Sequence, residues 1–471
     1  MLFPTITFAV FFVVVFLGNW FLMPFPRHWR WFMLAASYFF YGFWNWRFVG
    51  LLIVSSLANQ FFAVRIHRAE EQSQRRAFVA GAVAVNLGLL GYFKYYGFFI
   101  ESVNSLLETM GAGTSLPLLQ ITLPVGISFF TFQALSYVID IFRRKLEPAP
   151  PLDFAVYLAF FPQLVAGPIV RGTELLPQFR GRRDPRRIDA SRAFYLITIG
   201  LAKKVVIADF LAANLADAVF ASPGQYGSLE ILVAIYAYSV QIYADFSAYS
   251  DIAIGVALLL GFRFPDNFNA PYTAVSIQDF WRRWHMTLSR WLRDYLYIPL
   301  GGSRGGALLT RRNLMLTMLL GGLWHGAAWR FVIWGGLHGL WLVWERRREE
   351  RGTAPSLATP TSRGLARLAT FHLVSFAWIF FRAPSMANAW EMISRLFTEW
   401  GGGVDAITVP ILLAIAVGIG AQYVTRPAVD RTLAGFSQLG PVPQGAVLAA
   451  GLLAIDALAN EGVAAFIYFQ F

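Results

Sequence analysis

The stretch that decides the fold begins Gln278-Asp279-Phe280-Trp281-Arg282-Arg283-Trp284-His285 and runs on through Trp291-Leu292-Arg293-Asp294-Tyr295. It passes a glycine-rich turn, Gly301-Gly302-Ser303-Arg304-Gly305-Gly306, and closes in a long apolar run carrying Gly321-Gly322-Leu323-Trp324-His325-Gly326. Three of the chain's six histidines, His285, His325 and His338, fall in this region. The residues before His325, from Asn313 to Trp324, carry no ionisable side chain. An ionisable group held that deep in apolar sequence is costly to bury unless something uses it. His325 is therefore the first candidate for a functional residue.

Working outward, the 471 residues are 57% hydrophobic and only 14% charged, with a mean hydropathy of +0.52. Soluble domains carry about 25% charged residues, so the deficit places the chain in lipid. Apolar runs of spanning length, roughly 17–25 residues, recur from end to end, which predicts a polytopic, all-α membrane protein read as one domain over 1–471. A cleavable leader is not expected, because the first run lacks a basic flank and a small-residue cleavage site. The net charge of +12 does not call for nucleic acid: the arginines sit in short loops between apolar runs, the pattern that sets membrane orientation. Cysteine is absent, which removes disulfides, thiolate ligands and a cysteine nucleophile together.

The first span is expected from about Thr5 to Met23, with two more over Trp31–Phe43 and Phe48–Val64. The Arg27–Arg30 turn and the Arg65–Arg76 loop read as cytoplasmic. A fourth run, Phe78 to Ile100, is interrupted by Lys94, which is expected to reach an interface. Pro124 and Gly126 predict a broken or re-entrant helix at Leu123-Pro124-Val125-Gly126-Ile127-Ser128-Phe129-Phe130-Thr131-Phe132-Gln133, and Pro162, Gly167 and Pro168 argue against a plain span over Phe154–Val170. Seven arginines lie between Arg171 and Arg192; anionic lipid is the first expectation for them, a phosphate-bearing thioester donor or an acidic carrier protein the second. The run at Ile231–Phe262 carries a polar notch in which Gln241 and Asp245, and Ser247 and Asp251, share helix faces. It must face protein or water, either tying helices together or lining a substrate path. A basic boundary at Trp344–Arg351, a linker to Ser362 and three further spans (Phe371–Phe381, Ile407–Tyr423, Ala446–Leu458) complete the chain, ending in the aromatic tail Phe466–Phe471.

From Trp281 to Tyr295 the periodicity predicts one two-faced helix, with His285 on the aromatic face and Asp279–Arg283 and Arg290–Asp294 as pairs. The run through His325 is too long for one helix and is broken by its glycines. Burial lowers an imidazole's pKa and leaves it able to accept a proton from an attacking hydroxyl or thiol. His285 and His325 can thus share the tasks of base and substrate orienter, whereas His338, thirteen residues on and well rotated on a continuous helix, reads as structural. Trp281, Trp324, Asp245, Asp251 and Arg304 are the candidates for lining a substrate path. No nucleophile elbow, phosphate loop or dense metal-ligand set occurs, so no metal is expected.

Taken together these blocks resemble the membrane-bound O-acyltransferases (MBOAT), specifically the bacterial alginate O-acetyltransferase branch. The resemblance rests on Leu123–Gln133, Phe161-Pro162-Gln163-Leu164-Val165-Ala166-Gly167-Pro168-Ile169, Asp245–Asp251, Asp279–His285 and Gly322–Gly326. It implies a polytopic fold of roughly 10–12 transmembrane or re-entrant helices around a central tunnel. By the same resemblance His325 matches the family's essential histidine and His285 its second active-site position. The resemblance also implies an acyl group taken from a cytoplasmic thioester, acetyl-CoA or an acyl carrier, with no resident cofactor. The acyl group would cross a bacterial inner membrane to a periplasmic O-acetyltransferase partner that completes esterification of a polysaccharide. D-alanyl transfer, or acyl transfer to peptidoglycan or cellulose, is the enzymatic alternative. A saccharide-lipid transporter using Asp245, Asp251 and Lys203 is the non-enzymatic one.

Overall fold

A computed structural model describes residues 1–181, 183–459 and 465–467. Arg182 and the aromatic tail beyond Ile467 lie outside the described residues. Among the described residues the regular structure is entirely helical. The backbone gathers into two compact units, one of Met1–Ile188 with Val256–Pro265, the other of Asp189–Gly255 with Asp266–Phe471.

The first unit opens with α1 (Ile6–Leu22), whose first turn is capped by the Thr5 hydroxyl accepting from Phe8 N at 3.2 Å. Pro26, at the first helical position where its missing N–H costs nothing, starts α2 (Pro26–Gly42). α3 (Arg47–Arg68) and α4 (Gln72–Thr109) follow. Val10, Val13, Val14, Leu17 and Phe21 of α1 are exposed, and only 17% of the apolar window of α4 is buried against protein. Apolar surface on that scale requires lipid. Lys94 sits in a single π turn, residues 91–95, and its ammonium donates to Ser128 Oγ at 3.2 Å. That bond to a neighbouring helix replaces the excursion to an interface.

α5 (Ile127–Phe142) is unbroken, contrary to the broken-helix reading. The helix breakers all precede it: Pro124 and Gly126 form the entry turn, and Gly126 (φ +77°) would place a Cβ 2.7 Å from the Leu164 carbonyl oxygen. Its polar residues Ser128, Thr131 and Gln133 are buried in protein. α6 (Pro151–Ala159) stops short, and after a single turn at Phe161–Leu164 the chain loses helical form, so this segment is not a plain span.

In the second unit, α7 covers residues 190–221 and contains two π turns. α8 (Ser228–Leu259), α9 (Ile277–Arg283), α10 (Met286–Leu292), α11 (Gly306–His325), α12 (Trp329–Glu350) and α13 (Pro360–Arg382) carry the chain past the candidate residues. α14 (Met386–Thr398), α15 (Val409–Gly420), α16 (Arg426–Gln438) and α17 (Pro441–Ala457) complete it. Among the described residues four helices, α3, α4, α8 and α13, are long and apolar enough to cross a bilayer, and Val409–Tyr423 with α16, bent by 91°, makes a fifth if the pair is one span. The other spanning runs are shorter or broken elements such as α1, α5 and α17.

α8 differs from α4 in that 83% of its apolar window is buried, so its polar notch faces protein. Lys204, on a π turn of α7, reaches Asp209 and Asp245 at 2.7 Å each, and Asp245 also accepts from Ile467 N at 2.6 Å. Lys203 reaches Asp251 at 2.5 Å and Ser247 at 2.7 Å. The notch ties α7 to α8.

α11 and α12 form an antiparallel hairpin joined by residues 326–328. Glycines make it possible: a Cβ on Gly322 would overlap the Phe331 carbonyl, and one on Gly335 would overlap the Met318 carbonyl. Backbone cannot step aside as a flexible side chain can. Gly335→Ala is therefore expected to destabilise the hairpin by about 1–3 kcal/mol, read as a lower thermal midpoint of the detergent-purified protein. An unchanged midpoint would show that the helices can separate.

Candidate active site

α9 starts at Ser276, whose hydroxyl accepts from Asp279 N at 3.0 Å. The Glu345 carboxylate of α12 accepts from Ile277 N at 2.6 Å and from Gln278 N at 3.0 Å. A carboxylate on two otherwise orphaned amides at a helix start satisfies both the hydrogen bonds and the dipole. Asp279 pairs with Arg283 at 2.8 Å, as the spacing predicts. Arg293 bonds Asp294 at 2.7 Å where residues 293–297 form a π turn.

The single helix expected over Trp281–Tyr295 does not form. α9 ends after Arg283, and His285 takes a left-handed conformation (φ 42°, ψ 54°) before α10 begins. The break is made from outside the segment. Asn269 N donates to the Arg283 carbonyl at 2.9 Å, and Met286 N donates to the Asn267 carbonyl at 2.8 Å. The Asn267 side-chain oxygen lies 2.8 Å from Thr287 Oγ1, 3.3 Å from Thr287 N and 3.1 Å from His285 Nδ1. His285 is fully buried, edge-on to Phe246 of α8 at 4.7 Å and 6.0 Å from the Trp324 ring.

His325 is the last residue of α11. Its Nδ1 lies 2.7 Å from the Gly321 carbonyl oxygen one turn back. Its ring is boxed by Trp324 at 5.0 Å, Trp334 at 4.9 Å and Phe381 at 5.6 Å. Phe381 is fixed because Arg330 donates to its carbonyl at 2.6 Å, which joins the end of α13 to the start of α12. His325 is 4% exposed, so it is walled by protein rather than turned to lipid.

His338 is not rotated away on a continuous helix. The hairpin turns the chain back, and His338 packs within 5.0 Å of Trp334, which is the ring that also covers His325. Trp281 lies 5.2 Å from His338 and 5.7 Å from Trp334. Trp324 and Trp334 thus link the three histidines, with Trp281 against both Trp334 and His338.

The remaining candidates lie elsewhere. Asp245 adjoins Phe246 in sequence but points to Lys204, and Asp251 points to Lys203. Arg304 is exposed on the glycine turn before α11. His325 stands at the other end of that helix, about 28 Å away at 1.5 Å per residue. The residues that the sequence did not single out for the site are Asn267, Glu345, Trp334 and Phe381. None carries a periodic or motif signal, since each acts on a segment far from it in sequence.

Comparison with known proteins gives a consistent picture. Residues 142–366 match the profile of the MBOAT, membrane-bound O-acyltransferase, family. The chain is 40% identical over 462 residues to the probable alginate O-acetylase AlgI of Azotobacter vinelandii, covering 95% of this chain and 90% of that one. It is 43% identical over 401 residues to the probable alginate O-acetylase AlgI of Pseudomonas aeruginosa, covering 84% and 75%. It is 38% identical over 431 residues to the peptidoglycan O-acetyltransferase of Helicobacter pylori, covering 83% and 79%.

Proposed function

The chain belongs to the membrane-bound O-acyltransferase family, and from that premise we propose that it passes an acetyl group from a cytoplasmic thioester across a bacterial inner membrane for O-acetylation of an alginate-like exopolysaccharide. Family membership and the apolar spans make it a multi-pass integral membrane acyltransferase whose acyl donor is a substrate rather than a resident cofactor. The donor is read as acetyl-CoA or an acyl-carrier thioester, drawn toward the basic segment Arg171–Arg192. The final acceptor is reached through a periplasmic O-acetyltransferase partner.

One observation carries the mechanism: His325 Nδ1 faces the Gly321 carbonyl at 2.7 Å. A carbonyl only accepts, so Nδ1 holds the proton and Nε2 of the neutral ring holds the lone pair. The attacking hydroxyl gives its proton to Nε2 as its oxygen bonds to the acyl carbon. The carbon–sulfur bond then breaks, and the departing thiolate takes that proton from the imidazolium. Every atom is accounted for without a covalent enzyme intermediate.

The support for an alginate-like acceptor is the alginate O-acetylase names of the two relatives at 40% and 43% identity. The 38% likeness to a peptidoglycan O-acetyltransferase favours the second acceptor. Both are tested by isotope-labelled acetate in a host that makes each polymer, with and without this chain. Label in the exopolysaccharide is expected only when the chain is present. Label confined to peptidoglycan would select the second reading, and label in neither polymer would overturn both.

A further inference from the structure

We infer that Asn267 fixes the tautomer of His285, and so makes Nε2 the only nitrogen that the neutral ring offers as a proton acceptor. The proposal deepens the acyl-transfer reading and rests on it for its rate measurement, but not for its spectroscopic one.

The orientation of the Asn267 amide decides the matter, and it follows from the donors around it. Thr287 N is a backbone amide and can only donate, so the Asn267 side-chain atom 3.3 Å from it is the carbonyl oxygen. Turning the amide over would set an NH₂ group against that N–H. The other arm agrees, since the Asn267 Nδ2 donates to Ser250 Oγ of α8 at 3.0 Å. The group 3.1 Å from His285 Nδ1 is therefore an acceptor, and Nδ1 must carry the hydrogen. In a neutral imidazole the second nitrogen, Nε2, is then bare.

The same residue holds the backbone that aims the ring. His285 has a left-handed conformation, which is strained for a side-chain-bearing residue and persists only where the surroundings impose it. Asn267 imposes it twice, accepting from Met286 N with its main-chain oxygen and from Thr287 with its side chain. Asn267 is 1% exposed, so water does not compete for these bonds. Ser250 lies one helical turn from Phe246, the ring packed on His285. α8 thereby holds His285 by the Phe246 ring contact and, through Asn267, by its Nδ1–H.

The consequence separates two roles that the histidine type leaves open. A ring with hydrogen on Nε2 would donate to the developing acyl oxygen. A ring with hydrogen on Nδ1 receives a proton or a hydrogen bond at Nε2. Asn267 selects the second role, which is also the one that the Gly321 carbonyl selects for His325. Asn267 is a positioning residue: it acts through His285.

The test uses the full chain labelled with ¹⁵N-histidine in lipid nanodiscs, with the His285 signals identified by their loss in His285→Gln. Nδ1-protonated, Nε2-bare imidazole is expected for the wild type. Asn267→Leu should give a reversed or mixed tautomer and acyl transfer lowered by roughly 10- to 100-fold, by analogy with removal of the outer partner of a metal-bound histidine. Asn267→Asp keeps an oxygen toward the ring and should restore both tautomer and most of the rate. An Nε2-protonated His285 in the wild type, or wild-type tautomer and rate in Asn267→Leu, would overturn the proposal. A protein with the expected tautomers but no acyl transfer would instead overturn the functional reading and leave the role of Asn267 in fixing the ring standing.

Discussion

Replacing His325 with alanine is expected to lower polymer-bound acetate by roughly 10²- to 10⁴-fold, the contribution of a positioned general base. The protein should still reach the membrane at wild-type abundance. His325 ends its helix, and two of the surrounding rings, Trp334 and Phe381, pack on one another as well as on it. His325→Gln should be equally inactive, since an amide cannot take up a proton at neutral pH. A transporter reading predicts the reverse ordering, with His325→Ala tolerated and Asp251→Asn damaging export. Matched membrane abundance with unchanged acetate in His325→Ala would remove the catalytic assignment.

The second large effect is on folding. Lys204 is 2% exposed and bonds two carboxylates, Asp209 and Asp245, at 2.7 Å each. Removing its ammonium leaves buried negative charge uncompensated, and breaking a buried pair in this way costs about 3–5 kcal/mol. Lys204→Met should therefore abolish accumulation of the protein in the membrane. The combination of Lys204→Met with Asp209→Asn and Asp245→Asn should recover a large part of it, because no net buried charge remains. The measurement is membrane abundance by immunoblot together with monodispersity in detergent. Single and triple variants of equal abundance would show that the network contributes little. Lys203, with 19% of its side chain exposed beside Asp251, should be the more tolerant of the two lysines.

How far the sequence could be read depends on the range of the interactions involved. Span positions were legible because hydropathy is local: α1, α2 and α3 fall within a few residues of the apolar runs, with Pro26 and the Arg65–Arg68 cluster marking ends. His325 was legible for the same reason, as an ionisable residue without ionisable neighbours. His338 was misplaced because its rotation was counted from His325 as if on one continuous helix, whereas the chain reverses after His325. Its position beside Trp334 depends on glycines packing across the hairpin. The break at His285 was invisible within its own segment, since Trp281–Tyr295 is periodic throughout and the interruption is imposed by Asn267 and Asn269. The resolution of the α8 notch into a helix tie was equally non-local. Asp245 and Asp251 find lysines 41 and 48 residues away, and periodicity says which face they share but not what stands opposite. Arg304 fell at the far end of α11 from His325 because the glycine turn precedes a full-length helix.

The most direct measurement of the central claim is made on the purified protein in nanodiscs, supplied with a thioester donor labelled in its acetyl group. The readout is free thiol release together with labelled ester on a hydroxyl acceptor, compared between wild type and His325→Ala. The account predicts that wild type releases thiol and ester in step, and that His325→Ala releases neither above the protein-free rate. Equal thiol release by the two proteins would contradict it, because the acyl group would then be leaving its donor without the imidazole at position 325.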